Sequence, residues 1–264
     1  MVQVSADLIK KHVKASSLVA RAFNIVENDR EVQELLKMAN IMAVTRLLYN
    51  DHGPTHSRIV AGAALEIFEI LANRGVEPTT LRDSTAKSRD EARLIVFLAA
   101  YLHDIGNAIH RHNHELHGYM LAKPILERIL PDILGEHPKI YSVRQEVLHA
   151  IYAHQNDVRA LTMEAGVIKI ADGTDMAQGR ARIPYRLGKM DIHAVSALSV
   201  RRVEIEEGDE RPVRITVEME DMAGLFQVEE VFMPKILTSG LEDYVELRIE
   251  VPSRGVSRTV HPSG

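Results

Sequence analysis

The chain has 264 residues, 45% of them hydrophobic and 26% charged, with a formal net charge of -5. This is an ordinary globular composition, able to bury a sizeable core, and it excludes a global basic field that would draw nucleic acid or an anionic membrane. There is no cysteine, which excludes disulfides, thiolate metal ligands and a cysteine nucleophile.

Residues 1–16 lack the basic-then-apolar order of a secretory signal, and no apolar run is long enough to span a bilayer. The chain is therefore expected in the cytoplasm, with no membrane partner. Residues 5–27 predict a helix capped by Ser5, and residues 30–49 a second, with Val32, Leu35, Leu36 and Ala39 near helical spacing. The run Asp51-His52-Gly53-Pro54 breaks it, and Thr55 is placed to cap a third helix reaching about Asn73. Residues 76–88 read as a loop. Residues 90–103 form an apolar helix that Gly106 ends, and residues 110–121 another, with Pro124 and Pro131 punctuating the chain beyond it. Residues 143–158 and 162–172 complete a helical domain expected over 1–190.

After Met190 the composition changes. Residues 197–206 and 212–220 alternate with period two around the turn EEGDERP, which predicts a β-hairpin. Residues 224–237 look helical, 244–251 alternate as a strand, and the tail from Pro252 is expected to be disordered. The fold class is thus mainly α, with a small C-terminal α+β domain over 191–264. So small a sheet needs another surface on its apolar face, which predicts packing on the helical domain or pairing across a homodimer, with no metal ligand contributed.

Histidine is the outlier, with thirteen residues, several crowded between His103 and His117. A helix advances ~100° per residue, so the rings can be sorted by face. His56 shares a stripe with Val60, Ala63 and Ile67. His110, His114 and His117 share one face and His112 points away. His154 lies with Val147 and Ile151, whereas His149 falls on the solvent side. Asp172 follows Val167, Ile168 and Ala171, with Asp175 three residues on. Taken singly, an inward His56 or His154 is more often a hydrogen-bonded core residue, and Asp172 an N-cap or ion-pair partner. His12, His112, His149 and His261 suit the surface, and His110 or His117 could cap or solvate a helix. Taken together, inward imidazoles and carboxylates on several helices suit a divalent transition metal.

The order of His56, His103-Asp104 and Asp172 resembles the HD superfamily of metal-dependent phosphohydrolases. THSRIVAGAALEI is similar to its first-ligand helix, YLHDIGN to its namesake motif and VIKIADGTD to its closing aspartate helix. The resemblance covers roughly residues 56–175. It implies an HD-type helical bundle holding one or two divalent cations (Mn, Fe, Zn, Mg, Co or Ni) and hydrolysis of a phosphomonoester, nucleotide or phosphodiester. Binuclear members add two histidines. His114 opens the matching H-x-x-x-G pattern, which favours it over His117, and His154 lies in the matching stretch AIYAHQND. The implied ligands are His56, His103, Asp104 and Asp172, with His114 and His154 for a second cation, and His103 and Asp104 are the implied catalytic pair. Asp104 would bridge two cations or serve a single one. Lys169, Arg180 and Arg182 are candidate phosphate contacts, arginine offering bidentate geometry. Asn107 stands where cyclic-dinucleotide phosphodiesterases carry lysine, and their Gly-Tyr-Pro segment is missing, which weighs against that substrate. Two other readings share the ligand set: an HD-type di-iron oxygenase, and a non-catalytic module that holds a nucleotide.

Overall fold

The structure, a computed structural model, describes residues 1–177 and 192–262. In chain order these form β1 (Val2–Gln3), α1 (Ile9–Ala15), α2 (Ser17–Asn28), α3 (Arg30–Asn40), α4 (Pro54–Asn73), α5 (Thr79–Arg82), α6 (Arg89–Leu102), α7 (His114–Leu134), α8 (Ile140–Ala153), α9 (Met163–Thr174), α10 (Ile192–Ser199), β2 (Val200–Glu207), β3 (Val213–Met219), α11 (Met233–Leu237), β4 (Val245–Val251) and β5 (Val256–Val260). The protein is mainly helical, with a small mixed sheet built chiefly from its C-terminal residues.

Helix α6 organises the bundle. Ser88 starts it, its Oγ accepting from Glu91 N at 3.2 Å, and Asp90 and Glu91 complement the dipole of the first turn. Ala92 and every residue from 94 to 102 are buried. A helix apolar on all sides belongs at a centre, and α2, α4, α8 and α9 pack round it. Helix α9 is buried along its whole length. Thr162 caps it, with Oγ1 3.1 Å from Ala165 N.

Several expected boundaries shift. The helix expected over 5–27 breaks at Ser16, whose extended backbone (φ -136°, ψ 126°) ends α1 and whose Oγ caps α2 through Val19 N at 3.3 Å. Ser5 caps nothing. Gly53 is the N-cap of α4 and Pro54 its first residue, because proline lacks the N–H that the first turn leaves unpaired; Thr55 is already inside. The segment expected as a loop contains the single turn α5. Helix α7 runs through both Pro124 and Pro131. An internal proline costs about 3 kcal/mol. Both prolines are exposed, while Ile125, Leu126, Ile129, Leu130 and Ile133 are buried on the other side, each contributing roughly 1.5–3 kcal/mol. The stripe outweighs the breakers.

The sheet order is β1-β2-β3-β4-β5. The expected hairpin is present, β2 and β3 running antiparallel with Ile205 opposite Ile215. β4 lies parallel to β3, which requires a crossover, and residues 222–244 supply it with a π-helical turn (Gln227–Phe232) and α11. The tail expected to be disordered forms β5, paired antiparallel to β4. β1 has no counterpart among the expected strands: Val2 pairs with Ile205, so the sheet draws on both ends of the chain. Its apolar face, including Val203, Ile205, Ile215 and Val217, is covered in part by α4. Among the described residues, no helix is long and apolar enough to cross a membrane.

Candidate metal centre

The bundle brings its polar residues together where helices end. Helix α6 stops at Leu102, and His103 turns its ring back so that Nδ1 lies 2.8 Å from the Ala100 carbonyl. Helix α8 ends the same way, with His154 Nδ1 2.5 Å from the Ile151 carbonyl. His114, the first residue of α7, places Nδ1 3.1 Å from the Arg111 carbonyl. In all three, a carbonyl three residues earlier takes the ring's Nδ1–H. A carbonyl only accepts, so Nδ1 carries the proton and Nε2 presents its lone pair inward. His56, in the first turn of α4, is held instead by a carboxylate, Nδ1 lying 2.6 Å from Asp175 Oδ2. Such outer partners fix the tautomer and orientation that metal-binding imidazoles require.

Asp104 lies at the middle. Its Oδ2 is 3.3 Å from His56 Nε2 and 3.4 Å from His103 Nε2. Its Oδ1 is 3.5 Å from His114 Nε2 and 3.8 Å from His154 Nε2. Asn107 donates Nδ2 to Asp104 Oδ1 at 2.8 Å and so steadies this carboxylate. Asp172 Oδ1 lies 3.2 Å from His56 Nε2 and 3.8 Å from His103 Nε2.

The donor set fits a cation. His103 Nε2 is buried without a hydrogen-bond partner, an orphan in a site otherwise closely paired. Ligand atoms of His56, His103 and Asp172 all lie within 4.8 Å of one another, as do those of His103, Asp104 and His154. These two groups share His103, whereas the nearest-oxygen geometry of Asp104 sorts the rings as His56/His103 and His114/His154. The second division is the better guide, because a carboxylate oxygen is directional.

Charge tells the same story. Burial pushes His114 down to about 4, helped by the Arg111 charge, and burial with His114 beside it holds His154 well below the usual imidazole range. Both rings are neutral at pH 7, the form that ligates. Burial opposes ionisation of Asp104, yet the His103 and His52 rings beside it override that and hold the carboxyl well below the usual range. Burial likewise opposes Asp172, and the Lys235 ammonium outweighs it. A cation held here would supply positive charge to both carboxylates while the imidazoles stay neutral.

All six residues expected as ligands therefore converge: His56, His103, Asp104, His114, His154 and Asp172. His117 and His110 do not. Helix α7 starts only at His114, so the face expected to hold all three rings does not exist; His110 is exposed, its Nδ1 accepting from His112 N at 2.9 Å. Lys169 is fully buried and donates to the Val158 carbonyl instead of lining the cavity, and burial plus repulsion from Lys235 pushes it down to about 8. Arg180 and Arg182 lie outside the described residues. Of the rings expected at the surface, His12 is buried 3.1 Å from Glu66 Oε2, and His149 is half-buried.

Four further residues reach the site. His52 Nε2 is 4.0 Å from Asp104 Oδ2, and Arg111 Nη1 is 3.9 Å from Asp104 Oδ1. Asp175 orients His56, and Lys235 Nζ lies 2.8 Å from Asp172 Oδ2. Only Asp175 had a local signal, its place three residues after Asp172, just past the end of α9. A cavity of about 460 Å³ opens onto Asp104, His114, His154 and Asp172, with Arg111 and Lys235 on its wall.

The HD domain family matches residues 54–177, from the first turn of α4 to just beyond α9. The chain is 49% identical to the uncharacterized protein MJ1020 of Methanocaldococcus jannaschii over 223 residues, 84% of this chain and 85% of that protein. It is 28% identical to ribonuclease Y of Thermoanaerobacter pseudethanolicus over 176 residues, 63% of this chain and 31% of that enzyme. No solved structure matches significantly.

Proposed function

The chain belongs to the HD superfamily of metal-dependent phosphohydrolases, and on that premise we propose that its centre holds two divalent cations and hydrolyses a small phosphate ester. The observation that carries this reading is the division of Asp104, one oxygen facing His56 and His103, the other His114 and His154. Asp172 completes the first set through Oδ1.

Divalent cations there would polarise the phosphoryl oxygen and lower the pKa of bound water to ~7 in favourable cases. The chain's own residues do the rest. Asp175 and the carbonyls of Ala100, Arg111 and Ile151 keep four imidazoles in the ligating tautomer. Asn107 holds Asp104 between the two sets. Arg111, half-exposed on the cavity wall, is placed to receive a phosphoryl oxygen. The cavity falls within the roughly 300–1,000 Å³ usual for small-molecule sites, which favours a phosphomonoester or mononucleotide-sized ester. The likeness to a ribonuclease raises a phosphodiester as the second substrate class, although it spans only 31% of that enzyme.

The test is a hydrolysis screen with protein reconstituted in turn with each divalent metal, the bound metal being counted. The panel holds phosphomonoesters, nucleotides, linear oligonucleotides and cyclic dinucleotides. Turnover of monoesters or nucleotides by protein holding two cations is expected. Iron-loaded protein that consumes oxygen and cleaves no ester would replace this reading with the oxygenase.

A further inference from the structure

Lys235 stands apart from the rest of the centre. It lies beyond the residues that match the HD family, on the crossover between β3 and β4, yet only 8% of it is exposed. Its ammonium lies 2.8 Å from Asp172 Oδ2 and 3.4 Å from the His154 carbonyl. Burying a lysine charge is costly unless a partner meets it, and here the partner is one of the carboxylates that faces the histidines.

The segment that carries Lys235 is seated closely on α9. Gly166 and Gly173 are seven residues apart, two helical turns, and so share one face. A Cβ on Gly173 would collide with the Phe232 ring and come within 3.2 Å of Lys235 Cδ. A Cβ on Gly166 would collide with the Ser239 carbonyl and stand 2.9 Å from Leu241 Cδ1. The missing side chains leave room for the chain from Phe232 to Leu241 to lie on the helix. Ala160 N donates to the Thr238 carbonyl at 2.9 Å, and Thr238 Oγ1 donates to the Asn156 carbonyl at 2.9 Å. Lys235 is thus presented to Asp172 by a pinned segment.

We propose that Lys235 is a positioning residue of the metal centre, engaging Asp172 Oδ2 so that Asp172 offers a cation Oδ1 alone. The physical basis is that an ammonium 2.8 Å from Oδ2 fixes the carboxylate's orientation and draws charge from that oxygen, which disfavours turning both oxygens to one cation. The proposal rests on Asp172 being a ligand. The centre is then completed by a residue from outside the helical bundle, and the small sheet domain is part of the site without contributing a ligand.

The experiment uses full-length protein loaded with cobalt(II), whose visible bands report coordination number. Lys235→Met keeps the aliphatic stem beside Gly173 and removes the charge. Gly173→Ala keeps the lysine and displaces it. Both variants are expected to show weakened, shifted bands as Asp172 becomes bidentate, and kcat is expected to fall about 10- to 100-fold with KM little changed. Lys235→Arg should restore most of the wild-type spectrum. Unchanged bands in both Lys235→Met and Gly173→Ala would overturn the proposal, as would a raised KM with an unchanged spectrum, which marks a substrate contact. Wild-type protein that shows no ligand-field bands at all would instead overturn the metal reading of the site.

Discussion

His114 Nε2 and His154 Nε2 stand 3.0 Å apart while each ring's Nδ1 faces a backbone carbonyl. Two neutral rings arranged this way have no proton to share between them, so their lone pairs oppose each other. His114, His154 and Asp104 would hold a cation whose positive charge removes the conflict.

His154→Ala should therefore lower the bound metal from two cations to one while leaving the His56/His103 set loaded. Elemental analysis of metal-saturated wild type and variant decides it. Equal metal content in the two proteins would leave no place for a second cation.

Asp175→Asn should weaken metal binding roughly 10- to 100-fold, the usual effect of altering an outer partner of a ligating histidine. The amide still accepts from His56 Nδ1 but no longer lends the ring its negative charge. Chelator competition measures the loss, and an affinity within error of wild type would remove Asp175 from the centre.

Glu164 offers a pH test away from the metal. Burial raises its pKa, although Thr80 donates to Oε1 from both N, at 3.1 Å, and Oγ1, at 2.6 Å. A carboxyl with a raised folded pKa binds more protons folded than unfolded, so its ionisation subtracts stability as pH rises above the ordinary 4.5 and through the raised value. The stability of Glu164→Gln relative to wild type should thus improve from pH 4 to pH 7, read as urea midpoints of metal-free protein. A difference that does not vary with pH would show that Glu164 does not titrate abnormally.

Ser16→Ala removes the cap that separates α1 from α2 and should cost about 1 kcal/mol. Chemical denaturation reads this directly. A loss within ~0.3 kcal/mol would mean that packing of Val19 and Ala22, not the cap, sets the start of α2.

The centre was legible wherever a ligand lay on a helix whose apolar stripe told which way it faced. His56, His154 and Asp172 could be placed in this way, and the HD pair by its position at the end of an apolar run. His114 needed the family's spacing, because the start of α7 at Asn113 and His114 carries no side-chain cap to betray it. His52, Arg111 and Lys235 were not legible. They come from a loop, a turn and a distant crossover, and periodicity says nothing of where such residues point. The fold shows the same limit. The hairpin was announced by alternation and a turn. β1 has only two residues, and β5 is a mostly exposed edge strand with only Val256 and Val260 partly buried, so neither leaves a readable pattern. The prolines of α7 misled for the opposite reason, since tertiary burial overrode a correct local signal.

The pairing of β1 with β2 also has a consequence in time. As the chain is made, Val2 and Gln3 precede Glu204 and Ile205 by about two hundred residues. All six donor residues, the last of them Asp172, are likewise made before Lys235. Closing so long a loop adds little entropy cost per further residue, but it makes the contact slow to form. On the proposed reading, a nascent bundle would offer its six donors to a cation before Lys235 is made to engage Asp172.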